Sequence, residues 1–440
     1  MLNKIVLLGF ALCASYTLPA QSKLPLPTKN QLAWQQTETN GFVHFGANNP
    51  AAFKNAYFDA KQIVRTMKEA GFKIVVFTAK HHAGFCLWPS KYTDNTIASS
   101  GERNGNRDLV REMADACKEY GMGLGLYLSP WDGHEPTYGT PAYNDFYKNQ
   151  LRELLSNYGP LAEVWFDGYK GPNAKPMDYD WQGYFKIVRE LQPNAVIFSD
   201  IGPDVRWVGN ERGNASETSW STISVGTMLP GKAKPAYLNT GDAGGEKWMA
   251  SETDVSIRPG WFYNPAQDAQ IKSGKDLMNI YYQSVGRNSV LLLNVPPNRY
   301  GVISDADRQS LMDFKSIREE TFKTNLAKGA APDQLTDNNL ASSLTINEGA
   351  SKEISFSQPV QFDRVMLQEN IADGQRQVAG KLEYWDGQQW QLISQLSTIG
   401  YKRLLKVKPV STQKVRYTVV QAKLPVELAE IGFYKASSRE

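Results

Sequence analysis

Between residues 41 and 321, short runs of almost uninterrupted apolar residues alternate with longer amphipathic stretches. The apolar runs cover residues 41–46, 73–79, 123–128, 161–167, 195–199 and 289–295. Their length and lack of polar alternation predict strands buried on both faces. The stretches 60–70, 106–120, 143–157, 181–191, 274–284 and 305–321 have helical spacing, and the first two stop at Gly71 and Gly121, residues suited to the left-handed position after a helix. Strand and helix in strict alternation imply parallel βα units.

The extent of the pattern predicts a TIM-like (β/α)8 barrel. An open doubly wound sheet is the competing arrangement. It calls for a glycine-rich phosphate turn after the first strand, where this chain has Gly46-Ala-Asn-Asn-Pro50. The segment 201–272 is irregular and leaves room for a barrel with fewer helices. Beyond residue 325 the pattern changes to short alternating runs at 352–356, 381–385, 414–419 and 430–434, with a turn at Asp386-Gly387. These predict a C-terminal antiparallel β-sandwich. The expected division is a signal peptide at 1–20, a catalytic barrel at 21–324 and the sandwich at 325–440.

Composition narrows the function. The chain has 440 residues with a formal charge of +3, so no basic face announces nucleic acid. It carries 11 Trp and 21 Tyr against 4 His; such an aromatic excess suits stacking on sugar faces and suits a large core equally well. At the N-terminus, Lys4, an apolar run over 5–13 and the small-residue segment Pro19-Ala20-Gln21 predict a cleaved signal peptide, hence a periplasmic or secreted protein. That run is too short to span a bilayer, no other segment reads as transmembrane, and Leu12 argues against lipidation of Cys13. Cleavage leaves Cys86 and Cys117, too few for a disulfide scaffold, with their pairing open. No Cys/His cluster has zinc spacing.

In a barrel, chemistry gathers where strands end. Those ends read His44-Phe45-Gly46, Lys80-His81-His82, Ser129-Pro-Trp131-Asp132 and Trp165-Phe-Asp167-Gly168, with His134 just beyond the third. Adjacent His81 and His82 are expected to point to opposite sides of their strand, which disfavours a shared metal; no metal and no cofactor is predicted. Asp167 ends an apolar strand, a costly place for a charge that is neither paired nor in use. Trp165, two residues earlier, shares its face. A glycosidase needs a second carboxyl across the scissile bond, and Glu211, Glu217 and Glu252, all in polar stretches after the fifth strand, are the candidates.

Taken together, His44-Phe-Gly46, Thr78-Ala-Lys-His-His82 with Gly84-Phe-Cys-Leu-Trp-Pro-Ser90, Glu163-Val-Trp-Phe-Asp-Gly168 and Leu291-Leu-Leu-Asn294 resemble glycoside hydrolase family 29, the α-L-fucosidases. The resemblance covers most of residues 30–320. It implies retention through a covalent fucosyl-enzyme, with Asp167 as nucleophile. The segment 206–213 is similar to the branch that cleaves α-1,3 and α-1,4 fucosides, and there Glu211 matches the acid/base. The implied substrate-binding set is His44, His81, His82, Tyr127, Trp131, Trp165 and Trp261, and the implied partner is a fucosylated oligosaccharide or glycoconjugate.

Two features depart from the family pattern. Ala83 stands where Asp is usual after the double His. The segment 48–59 lacks the Glu-Trp pair commonly inserted there, which implies a more open pocket. The alternatives are a hydrolase of a related sugar such as an α-L-galactoside, or a catalytically inactive carbohydrate-binding protein. The C-terminal region resembles discoidin-like carbohydrate-binding modules in pattern; Trp385 and Trp390 read as a hairpin that packs a core or meets glycan.

Overall fold

The computed structural model describes residues 24–53 and 57–440. The signal-peptide segment, with Cys13, lies outside the described residues. Eight parallel strands close into a barrel: β1 (Thr39–Val43), β2 (Ile74–Lys80), β3 (Gly123–Leu128), β4 (Glu163–Trp165), β5 (Val196–Ser199), β6 (Val205–Trp207), β7 (Ala250–Ser256) and β8 (Ser289–Asn294). Each pairs with the next in sequence, and Thr39 opposite Leu291 completes the ring. The expected barrel is therefore present.

The irregular segment hides two of its strands. β5 and β6 are joined by residues 200–204 alone, without a helix. Residues 208–249 then form an insertion with a short helix (Pro235–Thr240) and a two-stranded ribbon (Thr222–Ile223 with Lys247–Trp248). Arg206 anchors this insertion: its buried guanidinium donates to the carbonyls of Leu238 at 2.9 Å and Trp220 at 2.8 Å.

Alternation along the strands separates two cores. Val43, Phe77, Leu126, Val164, Phe166 and Leu293 face the surrounding helices. Phe42, Val76, Tyr127, Trp165, Phe198, Val205 and Leu292 fill the barrel, joined by Trp34 from the first helix (Lys29–Gln35). Space for these rings comes partly from Gly125, where a Cβ would meet Val76 Cγ2 at 2.8 Å. Helix starts follow their caps. Asp59 accepts from Gln62 N and Asp108 from Arg111 N, so the second outer helix begins at Leu109, later than the 106 that the pattern indicated.

The C-terminal region comprises β9 (Leu344–Ile346), β10 (Ser351–Glu369), β11 (Gln377–Trp385), β12 (Trp390–Leu396), β13 (Arg403–Ala422) and β14 (Val426–Tyr434). All its pairings are antiparallel, in the order β9-β14-β10-β13-β11-β12. The hydrogen bonding is one continuous sheet rather than two separate ones. Long β10 and β13 slip register between Ser355 and Val360 and again between Phe362 and Arg364, the bends expected of bulges. Ile354, Phe362, Leu382, Val415, Tyr417 and Phe433 form its core. Trp385 and Trp390 face each other across the hairpin, 5.5 Å between ring centroids, with Arg416 over the Trp390 ring.

The sheet is tied to the barrel. Met366, Leu404 and Tyr434 pack into the outer barrel core. Glu38, held at φ 60°, accepts from Tyr281 at 2.5 Å, from Tyr401 at 2.8 Å and from Lys402. Cys86 and Cys117 are buried and free, which answers the open question of their pairing; burial pushes the Cys117 thiol up to about 12. No described helix is long and apolar enough to cross a membrane.

Candidate active site

β4 ends at Trp165, the buried Phe166 turns back into the outer core, and Asp167 emerges at the barrel mouth on the same side as Trp165, as the alternation predicts. Its carboxylate is held on both oxygens. Tyr169 N donates to Oδ1 at 2.7 Å, and the Tyr127 hydroxyl donates to Oδ2 at 2.9 Å from the neighbouring strand. Burial pushes the Asp167 carboxyl up to about 7; the two hydrogen bonds pull it down, and the charges of Asp200 and Glu211 push it further up. Asp200, at the end of β5, accepts from Gly231 N at 3.0 Å and from Gly168 N, bracing the turn that carries Asp167.

Three imidazoles line the same pocket, His82 nearest this carboxyl. Asn294 donates its amide to Ser256 Oγ at 2.9 Å and Trp261 O at 2.8 Å. Its oxygen is therefore the acceptor for His44 Nδ1 at 2.9 Å, so the His44 proton sits on Nδ1 and Nε2 is bare. Ser129 spends its only proton on Trp131 O at 2.6 Å and must accept from His82 Nδ1 at 2.8 Å. His82 Nε2 is bare as well, 3.6 Å from Asp167 Oδ2. Burial drives the three rings down to about 3 for His44, 2 for His81 and 4 for His82. At neutral pH they are uncharged, and the two bare nitrogens are acceptors for hydroxyl donors.

The opposed orientation expected of His81 and His82 is not what is found. β2 stops at Lys80, and both rings lie beyond it, 4.0 Å apart on one side of the pocket. Strand alternation does not extend to them because the strand, whose register with β3 shifts between Thr78 and Lys80, ends at Lys80. Below them Lys80, fully buried, meets Asp132 and Gln150, each at 2.8 Å, and Asp132 caps His134 N and Glu135 N. His134 itself turns outward to Asp94 at 3.1 Å. Among the described residues no group of three or more His, Cys, Asp or Glu is arranged to hold a metal ion.

Aromatic rings wall the pocket. Trp261 lies 5.1 Å from His44, and Phe262 stands edge-on to His44 and His81 at 5.5 and 5.0 Å. On the opposite side Trp131 and Tyr169 flank His82 at 4.9 and 5.4 Å. Trp165 lies deeper, stacked on Phe198 at 4.0 Å and Tyr127 at 5.2 Å.

The three candidate second carboxyls separate clearly. Glu211 is exposed at the mouth and accepts from Trp261 Nε1 at 3.3 Å. Its charge acts on both Asp167 and Asp254. Glu217 sits at the junction with the C-terminal sheet, 3.5 Å from Arg287. Glu252, expected on a polar loop, is instead in the middle of β7 and fully buried inside the barrel, where it accepts from Trp165 Nε1 at 2.9 Å.

The sequence reading missed Asp254, which faces inward two residues after Glu252. It is buried and accepts from Trp207 Nε1 at 2.7 Å. Burial, with the Glu211 charge behind it, raises its carboxyl well above the usual range. The signal was the spacing Glu252-x-Asp254, which puts two acids on one face of a strand. Phe262 and Tyr169 were missed too; as neighbours of Trp261 and Asp167 they carry no pattern of their own.

The geometry thus offers two acids at the mouth, neutral imidazole acceptors and aromatic walls, the equipment of a sugar pocket. The family model for α-L-fucosidase matches residues 28–316. "Alpha-L-fucosidase 1" of Arabidopsis thaliana is 41% identical over 445 residues, covering 93% of this chain and 88% of its own length. The solved structure of a Ruminococcus gnavus GH29 fucosidase in complex with fucose superposes with a TM-score of 0.86 at 34% identity, over 96% of this chain and 97% of that one. A glycoside hydrolase 29 family member from a rumen bacterium gives a TM-score of 0.86 at 39% identity, over 94% and 78% of the two chains. The chain belongs to the α-L-fucosidase family of glycoside hydrolases, family 29.

Proposed function

We propose that this protein is a retaining exo-α-L-fucosidase that removes terminal α-1,3/1,4-linked L-fucose from glycans. The observation that carries the reading is Asp167 held at the tip of β4 by Tyr127 and Tyr169, within the field of Glu211 across the mouth. In the first step Asp167 attacks the anomeric carbon, the bond to the aglycone oxygen breaks, and Glu211 gives its proton to that oxygen. In the second, Glu211 takes a proton from water, and the water oxygen displaces Asp167 to release fucose. His44 and His82 accept from sugar hydroxyls through their bare nitrogens. His81, Tyr127, Trp165 and Trp261 shape the fucose site, and Trp131 borders the aglycone side.

The linkage preference rests on the family resemblance of residues 206–213. Proton NMR of the first sugar released decides between retention and inversion: α-L-fucose must precede its mutarotated form. A glycan panel with α-1,2, α-1,3, α-1,4 and α-1,6 fucosides, and an aryl α-L-galactoside, reads linkage and sugar choice. Preferred release from α-1,2 linkages, or faster release of L-galactose, overturns the specificity. Export rests on segment 1–20, with residues 21–324 as the catalytic unit and 325–440 as the appended sheet; N-terminal sequencing of protein recovered outside the cytoplasm tests the cleavage.

A further inference from the structure

Two acids are buried inside the barrel, and among the described residues no cation is paired with either. Glu163 on β4 and Glu252 on β7 are both fully buried. Glu163 Oε2 accepts from Trp34 Nε1 at 3.1 Å and Glu252 Oε2 from Trp165 Nε1 at 2.9 Å. The remaining oxygen of each, Oε1, is buried and meets no N–H or O–H donor, and the two carboxyls lie close enough to act directly on one another. The groups that act on them are Trp34, Trp165, each other and Asp254, none of them positive.

Two carboxylates cannot both stay ionised in such a place. One proton held between the pair satisfies both orphaned oxygens and leaves a single delocalised charge with an indole donor at each end. The raised proton affinity of both groups, driven by burial, agrees with this.

The pair sits directly beneath the reaction centre. Glu252 is the hydrogen-bond partner of the Trp165 indole. Trp165 stacks on Tyr127 at 5.2 Å, and Tyr127 donates to Asp167. We propose that Glu252 is a positioning residue for this active site: it shares one proton with Glu163, and the pair fixes the Trp165 indole, through it Tyr127, and so the Asp167 carboxylate. A nonpolar side chain at 252 would fill the space but leave the Trp165 indole N–H and the Glu163 Oε1 without partners, Glu163 keeping only its bond from Trp34.

The proposal rests on Asp167 being the nucleophile, but its first test needs no substrate. The infrared difference spectrum at neutral pH, wild type minus the isosteric double variant E163Q/E252Q, is expected to retain a carboxylic-acid C=O band, since acids such as Asp254 contribute equally to both proteins and cancel. A difference spectrum without that band overturns the shared proton, whatever Asp167 does. The second test is kinetic, on an aryl α-L-fucoside with a good leaving group. E252L is expected to lose roughly tenfold or more in kcat/KM and to shift the acid limb of its pH profile upward, because Tyr127 no longer holds the Asp167 anion firmly. E252Q, whose carbonyl accepts from Trp165 and whose amide donates to Glu163, is expected to recover most of both. An unmoved acid limb in E252L, or an E252Q as impaired as E252L, overturns the positioning role. If E252L does not fold, Trp165→Phe breaks the same hydrogen bond from the other side and must move the limb in the same direction.

Discussion

The hydroxyl of Tyr127, at the end of β3, donates to Asp167 Oδ2 at 2.9 Å across the seam to β4. This bond favours the carboxylate over the carboxylic acid, against burial that pushes Asp167 up to about 7. Tyr127→Phe therefore raises the Asp167 pKa further. A hydrogen bond to a charged group is worth about 1.5–3 kcal/mol, so kcat/KM at neutral pH is expected to fall roughly 10- to 100-fold. A pH profile checks the direction: the acid limb, which needs ionised Asp167, must move to higher pH.

Glu211→Gln acts on the same limb with the opposite sign. Removing that negative neighbour lowers the Asp167 pKa, so for a substrate with a good leaving group the acid limb moves to lower pH. For a natural glycan, where the leaving oxygen needs a proton, the same variant is expected to lose about 10²–10⁴-fold in rate. Measuring both substrates separates the two effects; equal losses on both would remove Glu211 from the acid role.

Asp254 predicts a stability effect. Its folded-state pKa is raised well above that of the unfolded chain by burial and the Glu211 charge. It therefore contributes stability at low pH that is lost as pH rises above the ordinary carboxyl range. Asp254→Asn imitates the protonated acid, so its melting temperature is expected to fall less steeply between pH 5 and pH 9, read by calorimetry. A steeper fall contradicts the neutral form.

Glu38 behaves in the opposite sense. Burial alone would raise it, but Lys402, Tyr281 and Tyr401 together bring it down to about 2 from 4.5. The stability it contributes is present above pH 4.5 and lost as pH falls toward 2; the shift corresponds to roughly 3 kcal/mol at neutral pH. Glu38→Gln is expected to be destabilised by about that amount at pH 7 and to match the wild type near pH 2 in denaturant titrations.

The apolar strands and the tip residue Asp167 were legible because burial on both faces leaves a plain hydrophobic run. β7 was not, and its sequence Ala-Ser-Glu-Thr-Asp-Val-Ser explains why. Its inward positions carry Glu252 and Asp254, and its outward Ser251 and Thr253 bond to Ser289. A strand that serves the site has exchanged its apolar signature for polar partners visible only in three dimensions. The Glu163–Glu252 pair was hidden for a related reason: 89 residues separate its members, and only barrel closure brings them together. His81 and His82 were expected to point apart on a strand end, but the strand stops at Lys80 and their rings lie together just beyond it, a turn that residue spacing does not announce.

The joint at Glu38 bears on how this protein can be taken apart. Its ligands come from a barrel helix and from the C-terminal sheet. Beside it Asn288 accepts from Tyr401 N at 2.7 Å and donates to Ser219 O at 3.1 Å, while Met366, Leu404 and Tyr434 seal the seam. Cutting the chain after the last barrel helix would strand a buried acid and bare an oily scar on the catalytic half. The appended sheet is thus less a detachable cassette than a wall of the house, and the two halves should melt together in a single transition.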